Sequence, residues 1–193
     1  MTFRLTLIAS ARSTSRLAER FDDDRPLDPG GWREVERVAP TLLPLAAAEL
    51  RYCSPSARSR ETGDILGFMP LAQPALRDCD MGRWRGRTLE EVMMGEPRAV
   101  DAWLADPGSA PHGGESLFAF INRVGDWMDT RPVERDGRML AVADAGVIRA
   151  AVTYAMKAPP HCYWNVDVLP LSTTTLTGGA GKWRLCVDRE AQL

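Results

Sequence analysis

The stretch from Arg138 to Met156 reads RMLAVADAGVIRAAVTYAM, and its rhythm changes once. Arg138 to Ala143 is a short apolar run of the kind that forms a strand buried on both faces. Gly146 to Met156 is predicted as the helix that follows it. Asp144 stands at the junction. A strand that hands over to a helix across a short polar turn is the repeating unit of a parallel sheet, and function often sits just past such a strand.

The same pattern extends in both directions. FRLTLIAS, Phe3 to Ser10, is a second apolar, β-branched run ending in small polar residues. Trp32 to Leu50 carries Val35, Val38, Leu42 and Leu45 at helical spacing, although Pro40 and Pro44 each remove a helix donor. Leu50 to Cys53 reads as a strand, and Ser54-Pro55 opens a helix running to about Leu66. Pro70 to Arg87 is irregular, with Gly82 and Gly86 bracketing Trp84. A helix resumes at Thr88, whose pairing with Glu91 makes a capping box. From Glu115 to Met128, residues Leu117, Phe120, Ile121, Val124, Trp127 and Met128 share one helical face, which is a core stripe. Ser172 to Leu176 and Trp183 to Val187 flank GGAGK as a hairpin. Strands alternating with helices predict a layered α/β domain with a largely parallel central sheet.

Composition narrows the function classes. The 193 residues are 45% hydrophobic and 26% charged, enough for one domain with its own core. The formal charge of −2, from 24 basic and 26 acidic residues, disfavours nucleic-acid binding. With no apolar run of about 18 residues and no signal-peptide pattern at MTFRLTLIAS, no membrane association and a cytoplasmic address are expected. Cys53, Cys79, Cys162 and Cys186 are far apart without metal-ligand spacing and read as reduced, mostly buried thiols; no metal or cofactor is expected. Asp22-Asp23-Asp24 reads as a solvated loop.

Four stretches, in order, resemble the histidine phosphatase (phosphoglycerate mutase-like) superfamily. YCSPSARSRETGDIL (Tyr52–Leu66) resembles S-S-P-x-x-R-A-x-x-T-A, with Arg58 at the phosphate-binding arginine. LRDCDMGRWRGRTLEEV (Leu76–Val92) resembles L-x-E-x-x-x-G-x-W-E-G-x-T-x-E-E as written in the α-ribazole phosphatase and phosphoglycerate mutase branches, with Asp78 at the acidic proton donor. PHGGESLFAFINRV (Pro111–Val124) resembles P-x-G-G-E-S-x-x-x-x-x-x-R-V beside the substrate entrance. LAVADAGVIRAAV (Leu140–Val152) resembles V-V-S-H-G-G-V-I-R, and PLDPGG (Pro26–Gly31) resembles P-L-T-x-x-G. The resemblance implies a three-layer sandwich over residues 1–193, with an irregular and helical cap insertion at about 70–135.

Two departures bear on chemistry. Where the family's first strand ends R-H-G-E-T, this chain has Ala9-Ser10-Ala11-Arg12-Ser13, and where a later strand ends S-H-G it has Ala143-Asp144-Ala145. Only His112 and His161 exist, and neither falls on a catalytic slot. The resemblance implies an imidazole nucleophile that accepts the phosphoryl group while a second histidine and two arginines hold its oxygens. Ser10 would replace that nucleophile with an un-ionised alcohol, and Asp144, the only obvious candidate base, is a poor base for it. Arg58 against Asp78 and Asp144 leaves the site at about −1, or zero if Arg12 points inward, and a carboxylate about 4 Å from a phosphate charge costs on the order of 1 to 4 kcal/mol.

Candidate site residues are therefore Ser10, Asp78 and Asp144 at the catalytic slots, with Arg12, Arg58, His112, Glu115 and Ser116 as ligand contacts. Each has a plainer reading: Arg58 as a structural ion pair, Asp78 as a loop cap, Glu115 and Ser116 as helix starters, His112 as an exposed loop residue. Ser10, Arg58 and Asp144 are expected to form a network where phosphate would sit. The expected function is a degenerate member without phosphohistidine chemistry, its remnant cavity serving small-molecule binding, regulation or partner contact. Repurposed acid/base chemistry on a substrate without phosphate, or weak α-ribazole-phosphatase-like hydrolysis, are the alternatives. Sequence leaves the ligand and oligomeric state open.

Overall fold

The computed structural model describes residues 3–13, 20–21, 23–131 and 137–186. Among them, six strands form one sheet: β1 (Arg4–Ala9), β2 (Leu50–Cys53), β3 (Leu71–Ala72), β4 (Arg138–Ala143), β5 (Thr173–Gly179) and β6 (Lys182–Cys186). Their spatial order is β3-β2-β4-β1-β5-β6. The first four run parallel, while β5 is antiparallel to β1 and β6 to β5.

Side-chain alternation along the strands divides the core in two. Leu5, Leu7, Met139 and Ala141 face one way, onto α5 (Leu117–Asp129) and α6 (Ala145–Ala155), where they meet Phe120, Val124, Ile148 and Ala151. Ile8, Leu140 and Val142 face the other way, toward Val35 of α1 (Pro29–Leu42) and the buried Leu66 and Phe68 that follow α2 (Ala57–Ile65). Each fully buried leucine or phenylalanine contributes about 1.5–3 kcal/mol, so the three layers hold without disulfides. A third cluster, Met81, Trp84, Val92, Val100 and Trp103, lies around α3 (Leu89–Gly95) and α4 (Pro97–Ala105).

Several boundaries differ from the sequence expectation. The first helix begins at Pro29, capped by Asp28, and tolerates Pro40 before giving way at Leu43 to a 3-10 turn. Ser56, not Ser54, caps α2, so Pro55 precedes the helix instead of opening it. A two-residue strand, β3, interrupts the irregular stretch after Pro70. The Thr88–Glu91 capping box is present. Of the cysteines, only Cys53 is fully buried. No helix among the described residues is long and apolar enough to cross a membrane.

Candidate functional site

The strand order places three chain segments side by side at one end of the sheet. β4 lies between β1 and β2, parallel to both, with Ile8 and Cys53 each opposite Val142. Ser10 and Ser54, the residues just past β1 and β2, still donate their amides to the carbonyls of Ala143 and Val142. Asp144, just past β4, is therefore delivered between them. This is the switch point of an open α/β sheet, where ligands bind at the carboxyl ends of the strands.

Asp144 is the hub of the site. Only 2% of it is exposed. Its Oδ1 accepts from Arg58 Nε at 2.5 Å, from Ser10 Oγ at 3.2 Å and from Ser59 Oγ at 3.4 Å, while Oδ2 accepts from Ser54 Oγ at 3.1 Å. Asp144 also occupies the N-cap position of α6, yet its side chain caps nothing. The carboxylate gives up a helix-capping bond, usually worth about 1 kcal/mol, for a charge-assisted pair and three hydroxyl donors.

Arg58 is held from both sides. Asp144 takes Nε, and Nη1 reaches the Asp23 carbonyl at 3.2 Å and Asp23 Oδ1 at 3.3 Å. Burial opposes the charge on Arg58, but Asp144, then Asp78 and Asp23, more than offset it and hold the guanidinium above its ordinary range. Asp78 lies over the first turn of α6. Its Oδ1 accepts from the Cys79 amide at 2.9 Å and sits 2.3 Å from where a Cβ on Gly146 would stand. Burial and then Asp78 push both the Cys79 thiol and the Tyr163 phenol upward. Neither is a ready nucleophile.

The cavity at this site is about 20 Å³, room for about one water. Among the described residues its lining carries Arg58, Arg77 and Arg85 against Asp23, Asp24, Asp78 and Asp144, one negative charge in excess. A wider groove of about 340 Å³ shares Arg77 and Asp78 with it and includes Asp80, Glu115 and Arg123. Arg123 is committed within the fold: its Nε and Nη2 grip Glu115 at 2.8 and 2.7 Å, and Nη1 donates to the Ala75 and Arg77 carbonyls.

The structure thus brings Ser10, Arg58, Asp78 and Asp144 to one place, but not the other candidates. Arg12 is exposed and does not line the cavity. Ser116 caps α5 by accepting from the Ala119 amide, and Glu115 faces the wider groove. His112, expected to be exposed, is 1% exposed. Its ring packs 5.1 Å from that of Trp84, Nδ1 accepts from the Gly114 amide, and Nε2 has no partner among the described residues. The cause is a tight crossing of two loops, in which Arg83 N donates to His112 O and Glu115 N to Asp80 O, while a side chain on Gly82 would strike the His112 carbonyl. The expectation of a solvated aspartate loop fails for Asp23, whereas Asp24 is exposed. Asp23 pairs with Arg58 and Arg25, and Asp24 accepts from the Ala57 amide at 2.7 Å; Asp22 lies outside the described residues. Ser54, Ser59 and Asp23 are site residues that sequence reasoning did not single out. The first two lay within the Tyr52–Leu66 motif, but nothing local in the sequence ties Asp23 to Arg58.

A fold with its polar cluster at the carboxyl ends of β1, β2 and β4 defines an α/β protein of the phosphoglycerate mutase-like class. The model of the histidine phosphatase superfamily (branch 1) matches residues 12–188, and the chain belongs to that family. The glucosyl-3-phosphoglycerate phosphatase of Mycolicibacterium vanbaalenii is 34% identical over 165 residues, covering 79% of this chain and 71% of that protein. A mycobacterial glucosyl-3-phosphoglycerate phosphatase in complex with VO3 superposes with a TM-score of 0.77 at 26% identity, covering 95% of this chain and 97% of the other. A putative α-ribazole-5'-P phosphatase from Escherichia coli shares the fold with a TM-score of 0.80 at 21% identity, covering 97% and 96%.

Proposed function

We propose that this protein is a catalytically silent member of its family, in which the Asp144 carboxylate takes the place of the phosphoryl group. One observation carries the reading: Asp144 accepts four hydrogen bonds from Arg58, Ser10, Ser54 and Ser59 at the slot where the family resemblance expects a histidine. A carboxylate with its lone pairs so engaged is poorly placed to take a proton from Ser10. Ser10 is itself an alcohol donating to that carboxylate, so no activated nucleophile faces the cavity among the described residues.

The cavity's size and sign support the same reading. A dianion entering a space of about 20 Å³ with one excess negative charge would have to displace Asp144 from Arg58. On this proposal residues 1–193 act as one unit with a cap at about 70–135, and the remnant site serves ligand binding or regulation without phosphoryl transfer. Turnover assays with aryl phosphate, glucosyl-3-phosphoglycerate and α-ribazole phosphate, together with trapping of an acid-labile phosphoenzyme, test it. The expected result is no release above background and no label. Hydrolysis abolished by Arg58→Ala would overturn it.

A further inference from the structure

His112 and Gly82 mark the crossing of two loops beside the wider groove. The Asp80–Trp84 loop turns through Gly82, whose φ of +48° and missing side chain let it pass against the His112 carbonyl. Arg83 N donates to His112 O at 3.0 Å and Glu115 N to Asp80 O at 2.7 Å, so each loop holds the other. A side chain on Gly114 would strike the Asp80 carbonyl from the opposite side.

The His112 ring is sealed into this crossing. Its Nδ1 accepts from the Gly114 amide at 3.1 Å, and a ring nitrogen that accepts carries no proton, so the neutral ring keeps its proton on Nε2. Protonation would set an N–H on Nδ1 against the Gly114 N–H, two donors facing each other in a buried contact. The imidazolium therefore loses the bond that the imidazole makes. Burial is the largest influence against the charged ring; Asp80 favours it and Arg83 opposes it, both from the crossing loop, where the Trp84 ring also packs against the imidazole. Glu115, on the histidine's own segment, is committed to Arg123.

Asp80, Gly114 and Glu115 are at the same time a wall of the groove of about 340 Å³. The Glu115 carboxylate grips Arg123, which donates onward to the carbonyls of Ala75, Arg77 and Asp78. The loop crossing thus fixes the wall and, through Arg123, the segment that carries Asp78.

We infer that His112 is a proton-operated latch on this groove: the neutral ring holds the loop crossing shut, and protonation at Nδ1 releases the Gly114–Glu115 wall and opens the groove beside Asp78. The inference goes beyond the proposed silent site and holds whether or not that site turns over.

Amide hydrogen exchange followed by NMR on the full chain, across about pH 8 to pH 5 and corrected for intrinsic rates, tests it in the native protein and in His112→Asn. Asparagine supplies an acceptor to the amide two residues on, as in an Asx turn, and does not titrate. The folded histidine binds its proton more weakly than the ordinary value of about 6.5, so opening takes up a proton and is favoured as pH falls below that value. In the native protein the Arg83, Gly114 and Glu115 amides should lose about tenfold of their protection over this range, while the amides of β1 and β4 keep theirs, and the loss should follow the titration of the His112 ring itself. In His112→Asn the three amides should show no such dependence. Constant protection in the native protein, a loss shared equally by β1 and β4, a midpoint that departs from the ring titration, or the same loss in the asparagine variant would each overturn the inference.

Discussion

Ser10 Oγ and Asp144 Oδ1 are 134 residues apart in sequence and 3.2 Å apart in the fold. Parallel pairing of β1 with β4 produces the contact, because Ala9 and Ala143 are register partners and each strand delivers its next residue to the same end of the sheet. Ser54 arrives by the same route from β2. The carboxylate therefore ties together the ends of three strands and, through Arg58, the first turn of α2.

Removing that tie should be costly. Asp144→Ala removes the 2.5 Å partner of Arg58, leaving Asp23 as its remaining hydrogen-bonded carboxylate among the described residues, and strands three hydroxyls; loss of one partner of a buried pair typically costs about 3–5 kcal/mol. Ser10→Ala removes one donor of four and should cost about 1 kcal/mol. Urea denaturation should rank Asp144→Ala well below Ser10→Ala. Equal midpoints would show that the network contributes little to stability.

Restoring imidazole tests the chemistry itself. Ser10→His alone should yield no acid-labile phosphoenzyme, because Asp144 still holds Arg58. The pair Ser10→His/Asp144→His removes the competing carboxylate and supplies both groups that the family resemblance implies, so it should become labelled. Label in the single variant would mean that Arg58 can serve a phosphoryl group with Asp144 in place.

Much of this arrangement was legible because it is local. The apolar runs at Phe3–Ser10 and Arg138–Ala143 read as buried strands, and the family resemblance of the motifs around Ser10, Arg58 and Asp144 implied that these residues meet at one cavity. Other features depend on contacts with no local signature. Asp23 reads as one of three loop aspartates until Arg58, 35 positions away, is set beside it. His112 sits in a Pro-His-Gly-Gly loop that looks solvated, and only its crossing with the Asp80–Gly82 turn buries it. The mixed sheet likewise follows from the return of β5 beside β1, which periodicity alone does not encode.

The buried His112 should make the protein sensitive to acid. Burial lowers its pKa, opposed by Asp80 and reinforced by Arg83. A histidine whose folded pKa is depressed contributes stability that is fully present above its unfolded value of about 6.5 and is lost as pH falls toward the folded value. Denaturation midpoints measured between pH 8 and pH 5 should therefore fall on the acid side of about pH 6.5. His112→Phe should flatten that slope, and an unchanged slope would place the sensitivity elsewhere.

Gly146 offers a direct probe of Asp78. Alanine is normally favoured over glycine inside a helix by about 0.5–1 kcal/mol. Here its Cβ would stand 2.3 Å from Asp78 Oδ1 and 3.1 Å from the Tyr163 hydroxyl, so the carboxylate must leave the first turn of α6. Gly146→Ala should thus destabilise the protein by about 1–3 kcal/mol, the usual range for overpacking. Combined with Asp78→Gly it should recover most of that loss, giving a positive coupling in a double-mutant cycle. Strict additivity of the two changes would show that Asp78 does not rest on the α6 terminus, and with it would fall the assignment of that carboxylate to the wall of the site.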